Sequence, residues 1–353
     1  MTPTAADRRR HLAVLTGFAV ATAVLFLLTI VLGPSRVPPA EAVRVLTGRA
    51  AADPRWSAIV TEVRLPRAVT ATAVGAALSV AGVQMQTLFR NPLADPFSLG
   101  VSSGAGLGVA AAVAGTGGAA GAFTGGLAGL GRAGVVAAAA LGAGAVLSLV
   151  LLLSRRVRSV ATLLVIGVMI GSAVTAAVSV MLVYARPEQA QQFVLWGLGS
   201  LDATTWPDLR VMLPVTGIGL ATALLTTKQL NALLLGESYA RTMGLNVRRS
   251  RDLALLTTSL LAGASTAFCG PVAFLGLAVP HLARVALRTS DQRILLPTAV
   301  FAGAAVALAC GLATQPPSTD AMLPLNAVTS LLGAPVVVTM LIRRGRSTQE
   351  AVS

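Results

Sequence analysis

Residues 64–100 read RLPRAVTATAVGAALSVAGVQMQTLFRNPLADPFSLG, and this stretch decides the fold class. No charged residue stands between Arg67 and Arg90, so this run alone is long enough to cross a bilayer as a helix, which takes about 20 apolar residues. Similar runs recur along the 353-residue chain, of which 55% is hydrophobic and 11% charged. A soluble domain carries about 25% charged residues. The sequence therefore excludes an ordinary soluble enzyme and predicts an all-α polytopic membrane protein, a single transmembrane domain over residues 1–353.

Apolar runs bounded by Arg, Pro or Gly clusters predict about ten transmembrane helices. The third and eighth runs are interrupted by Gly and Pro, which is tolerated where the backbone is buried in protein or lines a cavity. Glycines inside the runs are expected to let helix backbones approach closely; they include Gly75, Gly82, Gly104, Gly108 and Gly142. The ten runs lie near residues 12–33, 67–89, 97–114, 132–154, 160–184, 208–227, 252–269, 271–287, 295–313 and 324–342.

The formal net charge of +14 indicates orientation in the membrane rather than a nucleic-acid partner. Lys and Arg collect at the cytoplasmic ends of membrane helices. Most of the 27 Lys and Arg residues fall in cytoplasmic segments when both termini are inside, which predicts an N-in, C-in topology with cytoplasmic tails at 1–11 and 343–353. The exception is an external basic loop over 34–66. It is either a solvated loop with an amphipathic surface helix around Pro39–Leu46 or a platform for an acidic partner.

The sequence lacks two features that supply energy in membrane transport proteins. No acidic residue falls in the middle of a predicted span, whereas ion-coupled carriers usually bind their coupling ion there. The chain also lacks a P-loop, since its one lysine, Lys228, has no glycine scaffold. An ATP motor would therefore be a separate polypeptide. Its predicted docking site is the coupling segment, residues 228–251, expected to form two short helices separated by Gly236 and ended by Gly244. The alternative for this segment is an interfacial helix lying on lipid.

Metal and disulfide chemistry are not predicted. The two histidines, His11 and His281, are too few for a multi-histidine centre. Cys269 and Cys310 lie in apolar runs and are expected to be small buried hydrophobes. We therefore predict no catalytic residue, no metal ligand and no cofactor in this chain.

Four blocks of sequence, in order and at matching spacing between about residues 60 and 342, resemble the permease subunits of type II ABC importers, the FecCD-like family. They are Arg64-Leu65-Pro66-Arg67 with Asn91-Pro92-Leu93-Ala94-Asp95-Pro96, then Leu235-Gly236-Glu237 with Ala240-Arg241 and Gly244-Leu245, then Gly270-Pro271 through Val279-Pro280-His281, and Leu323-Pro324 through Gly333-Ala334-Pro335.

The resemblance implies an assembly. A ten-helix subunit, with helices two to five and seven to ten as inverted repeats, pairs with a second copy or a homologous permease in a bacterial inner or plasma membrane. Two ATPase subunits, which bind ATP and Mg²⁺, lie below, and an external substrate-binding protein docks above. Members of the family carry ferric siderophores, haem or vitamin B12.

The resemblance also implies site residues. Arg64 and Arg67, the docking arginines, would receive glutamates of the binding protein, and Asn91 and Leu93 would form the cytoplasmic gate. The ATPase-coupling set is Gly236, Glu237, Ala240, Arg241 and Gly244. The sequence departs from the family pattern at three places: Gly311 and Gln315 replace a third docking charge and its acidic neighbour, Asn326 replaces a glycine, and Val160 with Ala161 replaces a polar second gate.

The predicted function is thus the permease subunit of an ATP-driven importer of a chelated-metal cargo, with ferric siderophore first. Haem and vitamin B12 are the alternative cargoes. A non-transporting signalling or assembly subunit and a secondary carrier are the alternatives of another class.

Overall fold

The computed structural model describes residues 4–35, 37–114, 131–154, 156–157, 159–315 and 322–350, and within them the chain forms helices and no β-strand. The helices are α1 Ala5–Val31, α2 Pro39–Leu46, α3 Pro54–Leu88, α4 Val101–Ala114, α5 Arg132–Ser154, α6 Val160–Val183, α7 Pro187–Gly197, α8 Trp206–Leu225, α9 Thr227–Leu234, α10 Glu237–Thr242, α11 Val247–Cys269, α12 Leu275–Leu287, α13 Gln292–Ala313 and α14 Leu325–Glu350. A short 3₁₀ turn, Pro96–Leu99, precedes α4.

The predicted apolar runs all fall on helices. Within the described residues, seven helices are long and apolar enough to cross a membrane: α1, α3, α5, α6, α8, α11 and α13. The runs on α4, α12 and α14 have shorter apolar cores, Val101–Val113, Leu275–Leu287 and Leu325–Thr339. Two of these, α4 and α12, are the runs that Gly and Pro interrupt. The all-helical, multi-pass architecture is therefore confirmed.

Several helices extend beyond the predicted apolar runs into the segments predicted as the external loop and the cytoplasmic tails. Helix α3 begins at Pro54 rather than near residue 67, because Pro54 occupies the first helical turn and the Asp53 carboxylate accepts a hydrogen bond from the Arg55 N–H at 2.8 Å. Most of the predicted external loop is thus helical, and the short helix predicted within it is confirmed as α2. Helix α1 starts inside the predicted 1–11 tail, and α14 extends through residue 350 of the predicted 343–353 tail.

Helix α3 is the centre of the bundle, because 89% of its most apolar 18-residue stretch is buried. It packs against α13, α11, α12 and α8. A Cβ at Gly75 would collide with the carbonyl group of Gly303 on α13, and a Cβ at Gly82 would collide with that of Gly276 on α12. The predicted role of glycines in close helix packing is confirmed at these crossings.

We call the two ends of the bundle the docking end and the coupling end, after the roles predicted for their residues. The docking end carries residues 34–35, 37–67, 198–205 and 311–315, and the coupling end carries residues 89–96, 228–251 and 288–292. The N-terminal arginines lie at the coupling end, since Arg10 donates a hydrogen bond to the carbonyl oxygen of Ala286 at 2.8 Å.

Candidate functional site

Arg64, at the docking end, is a buried tie between α3 and the end of α1. Its guanidinium donates to the carbonyl oxygens of Ile30 at 2.9 Å and Val31 at 2.7 Å, and also to that of Ser35. The last carbonyls of a helix lack partners within it and carry partial negative charge, so an arginine there satisfies both needs. Only 4% of the residue is exposed. In this conformation Arg64 therefore fastens two helices rather than presenting a charge to the outside.

Arg67 is the hub of a second buried network. Its Nε lies 2.8 Å from Oδ1 of Asp202, and its other nitrogens donate to Gln315, to the Gly311 carbonyl and to Thr314. Burial raises the pKa of the Asp202 carboxyl, while the charge of Arg67 and a hydrogen bond with Gln315 oppose that rise. Gly311 and Gln315, two departures from the family pattern, are thus partners of Arg67. Sequence reasoning missed Asp202, whose signal was a lone acidic residue in a short connection.

The accessible positive charge at the docking end lies elsewhere, on the exposed outer arginines Arg44, Arg49 and Arg55. Arg44 pairs with Glu41 at 3.0 Å and keeps half of its side chain exposed. Arg49 and Arg55 form no ion pair with any described residue. Arg36, another arginine of the external basic loop, lies outside the described residues.

Asn326, another departure from the family pattern, stabilises the connection between α11 and α12 at the docking end. Its Oδ1 accepts from the N–H of Ala273 at 2.9 Å, and its Nδ2 donates to the carbonyls of Gly197 at 2.9 Å and Pro271 at 2.8 Å. A glycine at this position would leave these backbone groups without the partners that buried polar groups need. Asn326 therefore stabilises the backbone of this connection in a way that a glycine could not.

The predicted gate is a compact turn after α3. Arg90 adopts a left-handed conformation, with a φ of 48°. The side-chain oxygen of Asn91 accepts from the N–H of Leu93 at 3.0 Å, and that of Asp95 accepts from the N–H of Phe97 at 2.7 Å. Leu93 is 41% exposed. Asn91 therefore shapes the turn, and Leu93 projects from it.

Asp95 in the same turn is a titratable group near neutrality. Burial raises the pKa of its carboxyl to about 6, and the hydrogen bond from the Phe97 N–H opposes the rise. Asp95 also caps the 3₁₀ turn that leads into α4.

The coupling set is divided between turn-forming, packing and surface residues. Gly236 and Gly244 have φ values of 106° and 80°, which glycine adopts without strain. They separate and end the two short helices α9 and α10, as predicted. Ala240 is fully buried. Glu237 and Arg241 form an ion pair at 3.2 Å on the surface of α10.

An exposed apolar patch flanks that ion pair. Leu235, Tyr239 and Met243 are 63%, 55% and 61% exposed. Exposed apolar side chains grouped beside charged ones are typical of protein contact surfaces. All three residues lie in the predicted coupling segment, but the coupling set did not include them, because their exposure depends on the fold.

The gate turn and the coupling set meet at one cleft of about 550 Å³. Arg90 and Phe89 line it from the gate turn, Gly236 and Glu237 line it from the coupling segment, and Ala161 lines it from the start of α6. A Cβ at Gly236 would lie 3.3 Å from the guanidinium of Arg90. The structure therefore brings three separately predicted elements, including the second gate position, to one cleft.

A second cleft, of about 420 Å³, lies between α4 and α6 and is lined by four hydroxyl residues, three glycines, Phe97 and Val168. Oγ1 of Thr175 lies 3.2 Å from Oγ of Ser103, and Ser172 lies one turn earlier on α6. Only 22% of the most apolar 18-residue stretch of α6 is buried within the subunit. This hydroxyl face, which comprises Ser98, Ser103, Ser172 and Thr175, was not predicted from the sequence.

Metal-binding side chains are not grouped in the described residues, where no three His, Cys, Asp or Glu come together in a set that would hold an ion. Cys269 and Cys310 are free and buried.

Comparison with known proteins gives consistent matches. A family model described as the FecCD transport family matches residues 21–343. The chain is 33% identical over 347 residues to the vitamin B12 import system permease protein BtuC of Klebsiella pneumoniae, covering 96% of this chain and 97% of that protein. It is 36% identical over 306 residues to the hemin transport system permease protein HmuU of Yersinia pestis, covering 85% and 88%. A solved structure of a metal-chelate type ABC transporter in an inward-facing conformation superposes with a TM-score of 0.80 at 26% identity, covering 93% of this chain and 98% of that one.

Proposed function

The chain belongs to the FecCD transport family, and from this membership we propose that it is the permease subunit of a type II ABC importer for a chelated-metal cargo. It is a transporter subunit rather than an enzyme, and a separate ATPase subunit binds ATP and Mg²⁺. In the proposed topology ten helices cross a bacterial inner or plasma membrane, the coupling end faces the cytoplasm, and a binding protein approaches the docking end.

The observation that carries this proposal is the cleft shared by the gate turn and the coupling segment. An ATPase bound to the patch of Leu235, Tyr239 and Met243 would sit directly beside the turn that presents Leu93. Movement of α10 would then reach the gate through the contact between Gly236 and Arg90 rather than through a long path.

The hydroxyl face on α4 and α6 is the proposed lining of the cargo pathway. It is open in the single subunit, so a second copy or a homologous permease placed against it would enclose a pathway between two such faces. Small residues and hydroxyl groups suit a cargo whose metal is already held by its own organic ligand. Ferric siderophore is the proposed cargo, and haem and vitamin B12 are the alternatives.

The docking arginines retain their proposed connection to the binding protein. Their burial favours a role in fixing the surface that the protein meets, because Arg67 holds Asp202 and Gln315 in place. The exposed outer arginines then supply the charge that attracts an acidic partner.

The test is ATP-dependent uptake by proteoliposomes that hold the permease, its ATPase and its binding protein. Labelled ferric siderophore, haem and cobalamin would be offered in parallel. Replacing Tyr239 and Met243 together with serine should abolish ATPase association and uptake, and the pair Glu237→Ala and Arg241→Ala should weaken both. Thr242→Ala, on the same helix and exposed, is the matched control. Unchanged association in both double variants, or uptake that proceeds without ATP, would refute the proposal.

A further inference from the structure

Asn231 of α9 clamps the coupling segment to the start of α13. Its Nδ2 donates to Oδ1 of Asp291 at 2.7 Å, and its Oδ1 accepts from the backbone N–H of Gln292 at 2.8 Å. A side-chain amide offers a donor and an acceptor side by side, and an aspartate of the same shape offers acceptors alone. Asp291 also caps α13 through the N–H of Arg293 at 3.0 Å. The coupling segment therefore grips the first turn of α13 by two bonds of opposite direction.

Gln292 continues this connection into the centre of the bundle. Its side chain is fully buried, and its Nε2 donates to Oγ1 of Thr87 at 3.0 Å. Thr87 is also fully buried and donates to the carbonyl of Val83 at 2.7 Å. Thr87 stands in the last turn of α3, directly before the gate turn. Four residues thus join the coupling segment to the helix that ends at the gate.

Polar bonds inside an apolar bundle resist separation more than the packing around them. A broken hydrogen bond there leaves a donor or acceptor without water, whereas apolar side chains can slide past each other with little loss. A displacement of α9 is therefore expected to carry the start of α13 and the end of α3 with it.

We propose that Asn231, Asp291, Gln292 and Thr87 form a polar relay that transmits movement of the coupling segment to the gate turn. The proposal rests on the proposed function, since it assigns the relay to coupling between ATP hydrolysis and transport. It is independent of the contact between Arg90 and Gly236, because it uses a different residue of the coupling segment. The four are positioning residues, because none of them lines the proposed cargo pathway or the ATPase contact patch.

Asn231→Asp tests the relay with almost no change in shape. It sets a second carboxylate against Asp291 and removes the donor. In proteoliposomes, cargo taken up per ATP hydrolysed should fall about tenfold, the scale of a lost hydrogen bond to a charged group. The exchange Asn231→Asp with Asp291→Asn restores a donor opposite an acceptor and should recover most of the loss. Asn246→Asp is the matched control, because Asn246 accepts from the Arg249 N–H and an aspartate caps that helix equally well.

Thr87→Val tests the far end of the relay and protects against failure of the first variant to fold. It leaves ATPase association unchanged, since Thr87 is buried, yet it should lower uptake per ATP. Wild-type uptake per ATP in either single variant, or a loss in Asn231→Asp that the exchange does not rescue, would overturn the relay. The proposed function fails separately, when the unmodified assembly shows no ATP-dependent uptake.

Discussion

The crossing of α3 and α12 at Gly82 provides a sharp test of the packing. Gly82→Ala adds one methyl group where the backbone of Gly276 already lies, with the Cα of Gly276 2.9 Å from the added carbon. The obstacle is backbone, so no side-chain rotation relieves it. Gly17 in α1 has nothing within 4 Å of the same added carbon and is the matched control.

The two substitutions should differ in sign. Alanine in a helix interior is favoured over glycine by about 0.5–1 kcal/mol, a gain that Gly17→Ala should show in full. Overpacking a close contact costs about 1–3 kcal/mol, and a backbone obstacle places Gly82→Ala toward the upper part of that range. After the helix gain is subtracted, Gly82→Ala should destabilise the protein by about 2 kcal/mol.

The protein carries its own reporter for this measurement. Cys269 and Cys310 are 3% and 1% exposed, so a thiol-reactive dye labels them when the bundle opens. Heating each variant in detergent with the dye gives an apparent unfolding temperature. It should fall for Gly82→Ala and rise for Gly17→Ala. Equal temperatures for the two variants would refute the close crossing of α3 and α12.

Three further predictions concern charge, pH and the gate. Reversing both docking arginines to glutamate should lower the unfolding temperature, because both are buried. Reversing the exposed outer arginines should leave that temperature unchanged and should slow binding-protein docking, strongly in dilute buffer and weakly in high salt. Slowed docking with unchanged stability in the first variant would instead show that the docking arginines contact the binding protein directly. The folded state raises the pKa of Asp95 from 3.8 to about 6, so the folded protein binds this proton more tightly than the unfolded chain does. The stability of the protein relative to the Asp95→Asn variant should therefore fall as the pH rises between these two values. Parallel pH profiles of the two proteins in thermal unfolding would contradict this. Leu93→Cys in a chain without the two native cysteines should cross-link two copies in the absence of nucleotide, which requires their Cα atoms to lie within about 7 Å. ATP should change the yield of the cross-link. Copies that co-purify but never cross-link would show that this turn is not the gate.

Local patterns in the sequence predicted local structure well. The helix at Pro39–Leu46 and the pair of short helices around Gly236 follow from proline at a helix start and glycine at a helix end. The early start of α3 was missed because Pro66 and the charges before it resemble a loop. A π-helical turn, Ile59–Arg64, ends two residues before Pro66, a residue that cannot donate the usual helical hydrogen bond.

Long-range partners could not be predicted from the sequence. Arg67 and Asp202 are far apart in the chain, and neither has a spacing that indicates the other. The same holds for Asn231 with Asp291 and for Gln292 with Thr87. The resemblance to known permeases identified Arg67 as a functional residue, but its burial and partners depend on how three segments converge at the docking end.

The burial of α3 has a consequence for the biogenesis of the protein. This helix carries Arg67, Gln84 and Gln86, which are almost fully enclosed by protein, and its main packing partners α8, α11, α12 and α13 all follow it in the chain. A nascent α3 released from the translocon alone would expose these groups to lipid, which is costly for ionised side chains. Helix α3 is therefore enclosed only after synthesis has proceeded through α13. The first half of the protein is then fully inserted only when its second half has been translated.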